Sequence, residues 1–202
     1  MVRQPAVKLE PFAAADIDQL IAWIPSAEFL LQWAGPAFHF PLDRAQLTRH
    51  LAEAEKPNPD RLIFKAVDPQ TQETIGHGEL GGIDRRNRSA SIARVLVGPP
   101  HLRGQGLGEQ IINGLLVIAF QELSLHRVSL NVFDFNSAAI RCYARVGFRQ
   151  EGMLREARRH GDEYWNVCVM SILEQEFAAA NRARTGSAKG EPTLEADERM
   201  KT

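Results

Sequence analysis

The feature that most limits the possible folds is a glycine-dense turn between two strongly patterned segments. Before the turn, residues 89–97 read as a strand ending in Val95-Leu96-Val97, and after it an apolar helix is predicted over 108–123. The turn itself reads Arg103-Gly104-Gln105-Gly106-Leu107-Gly108. Because its glycines lack a Cβ, backbone N–H groups can close on a ligand beside the positive helix N-terminus. The turn is therefore predicted to hold a pyrophosphate, and Arg103 adds a positive charge.

Known phosphate-binding motifs do not all fit this turn. A Rossmann fingerprint requires G-x-G-x-x-G, whereas the spacing here is G-x-G-x-G. A P-loop requires Lys followed by Ser or Thr, and Glu109-Gln110 occupies that place. The missing lysine argues against a nucleotide-dependent phosphotransferase. A turn that only changes the direction of the chain stays an alternative.

Strands and helices alternate along most of the chain, which predicts a mixed α/β (α+β) domain over residues 1–177. Residues 62–67 and 74–80 flank the polar turn 68–73 and are expected to pair as a hairpin. The other predicted strands are 7–10, 128–132 and 164–172, and the other predicted helices are 16–24, 29–33, 44–54 and 137–146. Residues 178–202 are charged and poor in large apolar side chains, so they are predicted to form a flexible tail, with a solvated helix near 195–200 as one option.

Composition excludes several classes of protein. The 202 residues are 44% hydrophobic and 24% charged, as in soluble globular proteins. The 24 Lys and Arg against 25 Asp and Glu argue against a dedicated nucleic-acid-binding protein. Two cysteines, Cys142 and Cys168, are too few for a disulfide framework. No apolar run approaches the ~20 residues of a membrane span, and no secretory signal is visible. We therefore expect a cytoplasmic protein without membrane or nucleic-acid partners.

A second motif follows the glycine turn, in residues 131–148. It matches N-x-x-A-x-x-x-Y-x-x-x-G-F at Asn136, Ala139, Tyr143, Gly147 and Phe148. Together with the turn, which matches [QR]-x-x-G-x-[GA], it resembles the GNAT superfamily of acyl-CoA N-acyltransferases over residues 7–176. The N-terminal helices and the segment 169–173 resemble the branch that contains the ribosomal-protein alanine acetyltransferases.

The resemblance implies a mostly antiparallel mixed sheet, flanked by helices, with two strands splayed around a coenzyme A cleft. It implies acetyl-CoA as co-substrate and no metal. Pantetheine would pair with the strand Val95, Leu96 and Val97, although Gly98-Pro99-Pro100 adds one residue to the usual spacing and leaves that register open by one. The pyrophosphate would lie on Arg103, Gly104, Gln105, Gly106, Leu107 and Gly108.

Two residues of the second motif have alternative roles. The resemblance implies that Asn136, Ala139 and Tyr143 complete the cofactor site and that the Tyr143 hydroxyl protonates the departing thiolate. Asn136 and Tyr143 are two helical turns apart and share one face with Ala139. The alternative role of Asn136 is that of an N-cap only, and the alternative role of Tyr143 is that of a core aromatic.

Candidates for the general base and the acceptor site come from other segments. Glu79 shares a strand face with Ile75 and His77, and it is expected either to act as the base, directly or through a water, or to form an ion pair with Arg94. Trp33 is expected to be a wall of the acceptor site or a core anchor. The arginine-rich run 155–160 either attracts an acidic acceptor or the coenzyme phosphates, or forms a solvated strand face.

These features predict an enzyme that transfers an acetyl group from acetyl-CoA to a primary amine by direct attack in a ternary complex. The acceptor stays open among a protein N-terminus, a polyamine, an antibiotic and an amino acid, and the protein is expected to be a monomer or homodimer. A coenzyme A-binding regulatory module without turnover is the alternative.

Overall fold

The computed structural model describes residues 7–186, with side chains up to residue 182. Its strands form a seven-stranded sheet in the order β1-β2-β3-β4-β5-β7-β6. Neighbouring strands are antiparallel except β4 and β5, which are parallel. The strands are β1 Lys8–Pro11, β2 Leu62–Val67, β3 Thr74–Asp84, β4 Ser89–Val97, β5 Arg127–Phe133, β6 Arg149–His160 and β7 Glu163–Leu173. The predicted mixed, mostly antiparallel sheet and the hairpin of β2 and β3 are confirmed.

Helices cover both faces of this sheet. One apolar cluster joins the sheet to α4, with Ile111 and Leu115 fully buried, and a second joins it to the N-terminal helices through Ile17 and Leu47. The helices are α1 Ile17–Ala22, α2 Ala27–Ala34, α3 Arg44–Ala54, α4 Leu107–Val117, α5 Ser137–Val146 and α6 Glu174–Gly186. α4 continues into a π-helical turn, Ile118–Glu122.

Glycine in β3 allows α4 to lie directly on the sheet. A Cβ added at Gly76 would lie 2.8 Å from Ile111 Cδ1, and one at Gly78 would lie 3.0 Å from Leu115 Cδ1. The opposite face of the strand carries His77 and Glu79, both almost fully buried. The glycine-rich strand thus fixes α4 on one side and directs two titratable side chains to the other.

β4 and β5 separate towards their C-terminal ends. Their pairing covers only residues 89–91 of β4 and 127–129 of β5, although both strands continue beyond it. In β4 the register against β3 shifts between Ala93 and Leu96, and Arg94 within this bulge has a φ of +52°. The bulge turns the end of β4 away from β5, as bulges do near functional sites. The predicted splay is thus confirmed.

Two regions differ from the sequence-based expectation. Residues 149–154 were not predicted as a strand, yet β6 begins at Arg149, because an edge strand exposed on most of its length needs no apolar alternation. Residues 178–186, which fall within the predicted tail, are helical because they continue α6 to Gly186. The buried Phe177 ring, 5.2 Å from that of Phe120, attaches the helix to the core. The optional helix near 195–200 lies outside the described residues.

None of the helices in residues 7–186 combines the length and the apolar character that crossing a membrane requires.

Candidate active site

A cleft of about 350 Å³ opens where β4 and β5 separate, and we call it the central cleft. Its walls come from α2, the splayed ends of β4 and β5, the N-terminal part of α4, and α5 as far as Tyr143. The structure therefore brings together residues that the sequence places far apart. The predicted cofactor and acceptor residues that line it are Trp33, Val95, Leu96, Val97, Arg103, Gly108, Asn136, Ala139 and Tyr143.

The glycine turn leads into α4 at one end of the central cleft. Gly104 and Gly106 have φ values of +77° and +80°, and Gly106 is the N-cap of the helix. A Cβ at either residue would meet no atom within 4 Å, so the turn is open to a ligand. No side chain caps the helix N-terminus, which leaves its first N–H groups available to an anion.

The side chain of Arg103 is held at the end of β4. Its Nε donates to the Val97 carbonyl and its Nη2 to the Gly98 carbonyl, both at 3.0 Å. The guanidinium also lies 5.7 Å from the centre of the Phe29 ring. These contacts join the turn to the end of β4 and to α2, so Arg103 stiffens the entrance of the cleft. The 3₁₀ turn Pro100–Leu102 accommodates the residues between β4 and Arg103.

α5 presents the second motif to the central cleft. Asn136 caps the helix, because its side chain accepts a hydrogen bond from the Ala139 backbone N–H at 3.2 Å, and it also lines the cleft. Tyr143 lies two turns later on the same wall. Burial raises the pKa of Tyr143 well above its ordinary value, so the hydroxyl stays protonated at neutral pH. A residue that donates a proton to a thiolate must itself be protonated, and Tyr143 meets this requirement.

Cys142 also lines the central cleft and is the one cysteine near the predicted chemistry. Burial raises the pKa of its thiol to about 11, with the charge of Glu109 as a smaller cause. A protonated thiol is a weak nucleophile, so this environment disfavours an acetyl-cysteine intermediate.

Glu79 lies at the centre of a buried polar network behind the bulge of β4. Its carboxylate accepts a hydrogen bond from Arg94 Nη1 at 2.6 Å and from His77 Nε2 at 3.1 Å. His50 Nε2, from α3, lies 2.9 Å from its Oε2. Arg61 Nη1 lies 3.1 Å from His50 Nδ1, and since arginine can only donate, Nδ1 accepts and Nε2–H points to Glu79. The ion pair with Arg94, one of the two expected roles of Glu79, is therefore present.

The same surroundings decide the charge of Glu79. Burial alone would raise its pKa, but the hydrogen bonds from His50 and His77 and the charge of Arg94 lower it far below its usual range. A carboxylate so strongly held in its ionised form accepts a proton poorly, and its side chain is only 2% exposed. The role of Glu79 as general base stays a prediction, and this geometry argues against it.

Trp33 connects α2 to the bulge of β4. Its indole Nε1 donates to the Arg94 carbonyl at 2.8 Å, and its ring stacks on Phe38 at 6.3 Å. It also lines the central cleft and a neighbouring cavity of about 260 Å³, which we call the adjacent cavity. Both roles expected for Trp33, wall and anchor, are therefore compatible with its position.

The adjacent cavity continues the central cleft through the gap between β4 and β5. The two share residues of α2 and of both strands, among them Gln32, Ala93 and Asn131. A molecule in the adjacent cavity would therefore lie next to a molecule in the central cleft.

Several of these residues were not singled out from the sequence. His50 follows Leu47 by three residues and precedes Leu51 by one, so it falls on the apolar face of α3. A histidine on such a face is a signal of a buried polar contact, but its partner Glu79 lies in another element. Gln32 and Asn131 carry no signal of this kind in the sequence.

Comparison with known proteins identifies the family. The model of the acetyltransferase (GNAT) family matches residues 27–148, which is well over half of the chain. The chain belongs to the GNAT acetyltransferase family. The predicted acetyl-CoA-dependent acyltransferase is thereby confirmed, with acetyl-CoA as co-substrate.

Individual relatives of this GNAT protein are also N-acetyltransferases. It is 32% identical over 111 residues to spermidine N(1)-acetyltransferase of Vibrio cholerae, covering 55% of this chain and 63% of that one. It is 28% identical over 141 residues to the SPbeta prophage-derived uncharacterized N-acetyltransferase YokL of Bacillus subtilis. That match covers 70% of this chain and 77% of YokL. The shared region is thus under two thirds of the spermidine enzyme.

A crystal structure shows the same fold. Vibrio cholerae spermidine N-acetyltransferase in complex with CoA and spermine superposes with a TM-score of 0.75 at 24% identity, covering 85% of this chain and 98% of that one. The superfamily predicted from the two motifs is confirmed. The relatives named here are spermidine and uncharacterised N-acetyltransferases, so they give no support to the expected ribosomal-protein branch.

Proposed function

We propose that this GNAT acetyltransferase transfers the acetyl group of acetyl-CoA to a primary amine by direct attack in a ternary complex. The observation that carries the proposal is the central cleft, which runs from the open glycine turn along β4 to Tyr143 and joins the adjacent cavity. This shape offers one compartment for the thioester and another for the amine. Holding the two reactants together supplies much of the rate enhancement in such a transfer.

In the proposed reaction, the cofactor lies along the central cleft. The backbone of residues 104–108 binds the pyrophosphate at the start of α4, with Arg103 holding the turn against β4. The pantetheine follows Val95, Leu96 and Val97, and Asn136 and Ala139 form the facing wall. The amine attacks the thioester carbonyl, the C–N bond forms as the C–S bond breaks, and the Tyr143 hydroxyl gives its proton to the departing sulfur.

The amine must lose a proton for this attack, and we propose that Glu79 assists through position rather than as the base. It holds the Arg94 side chain, while Trp33 holds the Arg94 carbonyl. Together they fix the bulge that sets the direction of the strand residues 95–97. Water in the adjacent cavity is then the proton acceptor for the amine.

A first prediction concerns the glycine turn. Replacing Gly106 with valine should abolish the increase in Tm that acetyl-CoA produces by mass action, because a branched side chain would occupy the open face of the turn. We expect ATP and NAD to give no comparable increase. Differential scanning fluorimetry with and without acetyl-CoA measures the effect.

Gly161→Val is the matched control for this variant. Gly161 also has a positive φ, +60°, and open surroundings, but it lies in the turn between β6 and β7. Both variants therefore carry similar backbone strain, and only the one in the turn before α4 should lose the response. If folded Gly106→Val bound acetyl-CoA as the wild type does, the pyrophosphate site would lie elsewhere.

The alternative function is a coenzyme A-binding regulatory module without turnover. It shares the cleft and the cofactor, so the binding experiment does not separate it from the enzyme. Acetylation of an amine does, because a module would protect acetyl-CoA without releasing a thiol. The position of Tyr143 on the wall of the cleft favours the enzyme.

A further inference from the structure

The charged residues that line the adjacent cavity are all positive. Among the described residues that form it, none is an aspartate or a glutamate, whereas two are arginines, Arg94 and Arg158. The remaining walls are apolar or uncharged, with Trp33, Pro36 and Phe133 prominent among them. A cavity of this kind is a poor host for a molecule that carries several positive charges.

The two arginines differ in what neutralises them. Arg94 is paired with the buried Glu79, so its charge is compensated within the protein. Arg158 is half-buried on β6, and its Nη1 donates to the carbonyl of Ala157. Within residues 7–182, no carboxylate lies within 4 Å of its guanidinium. Its charge is therefore available to a ligand in the cavity.

Neighbouring residues show that this arrangement is particular to Arg158. Arg155 is exposed and lines a separate depression with Met153, and Arg159 faces Asp162 at 3.5 Å. Asp134 is the acidic residue next to Phe133 in the chain, and it accepts a hydrogen bond from Asn166 Nδ2 at 2.8 Å. Of the arginine-rich run 155–160, only Arg158 lines the adjacent cavity.

We infer that the acceptor is a primary amine that carries a carboxylate or a similar anionic group, and that Arg158 binds this group. The inference rests on the proposed function, because it places the amine in the adjacent cavity. Arginine binds carboxylates through two parallel hydrogen bonds, and a partly desolvated guanidinium gains most from such a partner. A polyamine would meet the same arginine as a repulsive charge.

Matched acceptor pairs test this inference, with free-thiol release from acetyl-CoA as the readout. Phenylalanine is compared with phenylalaninamide, and a short peptide beginning Ala-Asp with one beginning Ala-Asn; spermidine is the polycationic acceptor. The first pair represents free amino acids and the second represents acidic peptide N-termini. We expect the carboxylate member of at least one pair to have kcat/KM roughly 10–100-fold above its amide, the range for a hydrogen bond to a charged group.

Variants at Arg158 separate the effect of this side chain on acceptor preference from the effect of the overall charge of β6. Arg158→Gln should remove the preference, so that kcat/KM for the carboxylate member falls to about that for its amide in the same variant, and Arg158→Glu should favour spermidine. Arg155→Gln, on the same strand but outside the cavity, should behave as the wild type. A preference for spermidine or for both amides in the wild type would overturn the inference, as would an unchanged preference in Arg158→Gln. If no amine at all were acetylated, the proposed function itself would fail.

Discussion

Replacement of Tyr143 by phenylalanine is expected to slow kcat by ~10²–10⁴-fold while the fold and acetyl-CoA binding persist, because a positioned proton donor is lost. The phenyl ring retains the packing against Phe148, whose ring centre lies 5.9 Å away. The thiolate must then leave unprotonated or take its proton from water. Single-turnover kinetics with acetyl-CoA and an amine acceptor measure the chemical step directly.

The chain contains two tyrosines, and the other supplies the control. Tyr164 lies on β7, is 55% exposed and is outside the central cleft, so Tyr164→Phe should leave kcat unchanged. If Tyr143→Phe kept the wild-type rate in an assay limited by chemistry, Tyr143 would be a packing residue and another group would protonate the sulfur.

Replacement of Glu79 by glutamine should lower the free energy of unfolding by ~3–5 kcal/mol, because it leaves Arg94 as a buried charge without its partner. Glu163→Gln, at an exposed position at the start of β7, should change stability little. Urea denaturation at pH 7 measures both. If Glu79→Gln were as stable as the wild type, the ion-pair role of Glu79 would be contradicted.

The difference in the free energy of unfolding between the wild type and Glu79→Gln depends on pH, because the pKa of Glu79 is lowered in the folded protein. A carboxyl group whose pKa is lower in the folded state stabilises the protein above its unfolded-state pKa of ~4.3, and the effect is lost as pH falls towards the folded-state pKa. The difference in the free energy of unfolding between the wild type and Glu79→Gln should thus be constant above about pH 5 and decrease at lower pH.

A pH–rate profile of Glu79→Gln separates a positioning role of Glu79 from a role as general base. The positioning role predicts that the acidic limb of kcat/KM keeps its shape in Glu79→Gln, with the overall value reduced through the displaced bulge. A stable variant whose acidic limb became flat would instead assign the role of general base to Glu79.

The parts of the site that depend on local chain geometry were predictable from the sequence. The glycine turn and the Asn136–Tyr143 face each lie within one short segment, so spacing alone places their residues. Helix α5 and strands β2 and β4 begin and end at the predicted residues, because glycine, proline or asparagine stands within three residues of each end.

The parts that depend on packing between distant elements were not predictable in this way. His50 meets Glu79 across 29 positions of the chain, and Trp33 meets the Arg94 carbonyl across 61. Arg103 donates hydrogen bonds to the carbonyls of Val97 and Gly98 at the end of β4, which its place in the glycine turn does not reveal. β6 lacks an apolar pattern because it is an exposed edge strand, so the place of Arg158 in a cavity emerges only from the folded sheet.

The most direct test of the proposed acetyl transfer is a paired measurement on the purified wild-type protein. Acetyl-CoA is incubated with and without a panel of primary amines, and thiol release and the mass of the amine are followed together. The proposed acetyl transfer predicts thiol release that depends on the amine and equals the amount of acetylated amine formed. Binding of acetyl-CoA with no amine acetylated, or thiol release independent of the amine, would contradict it.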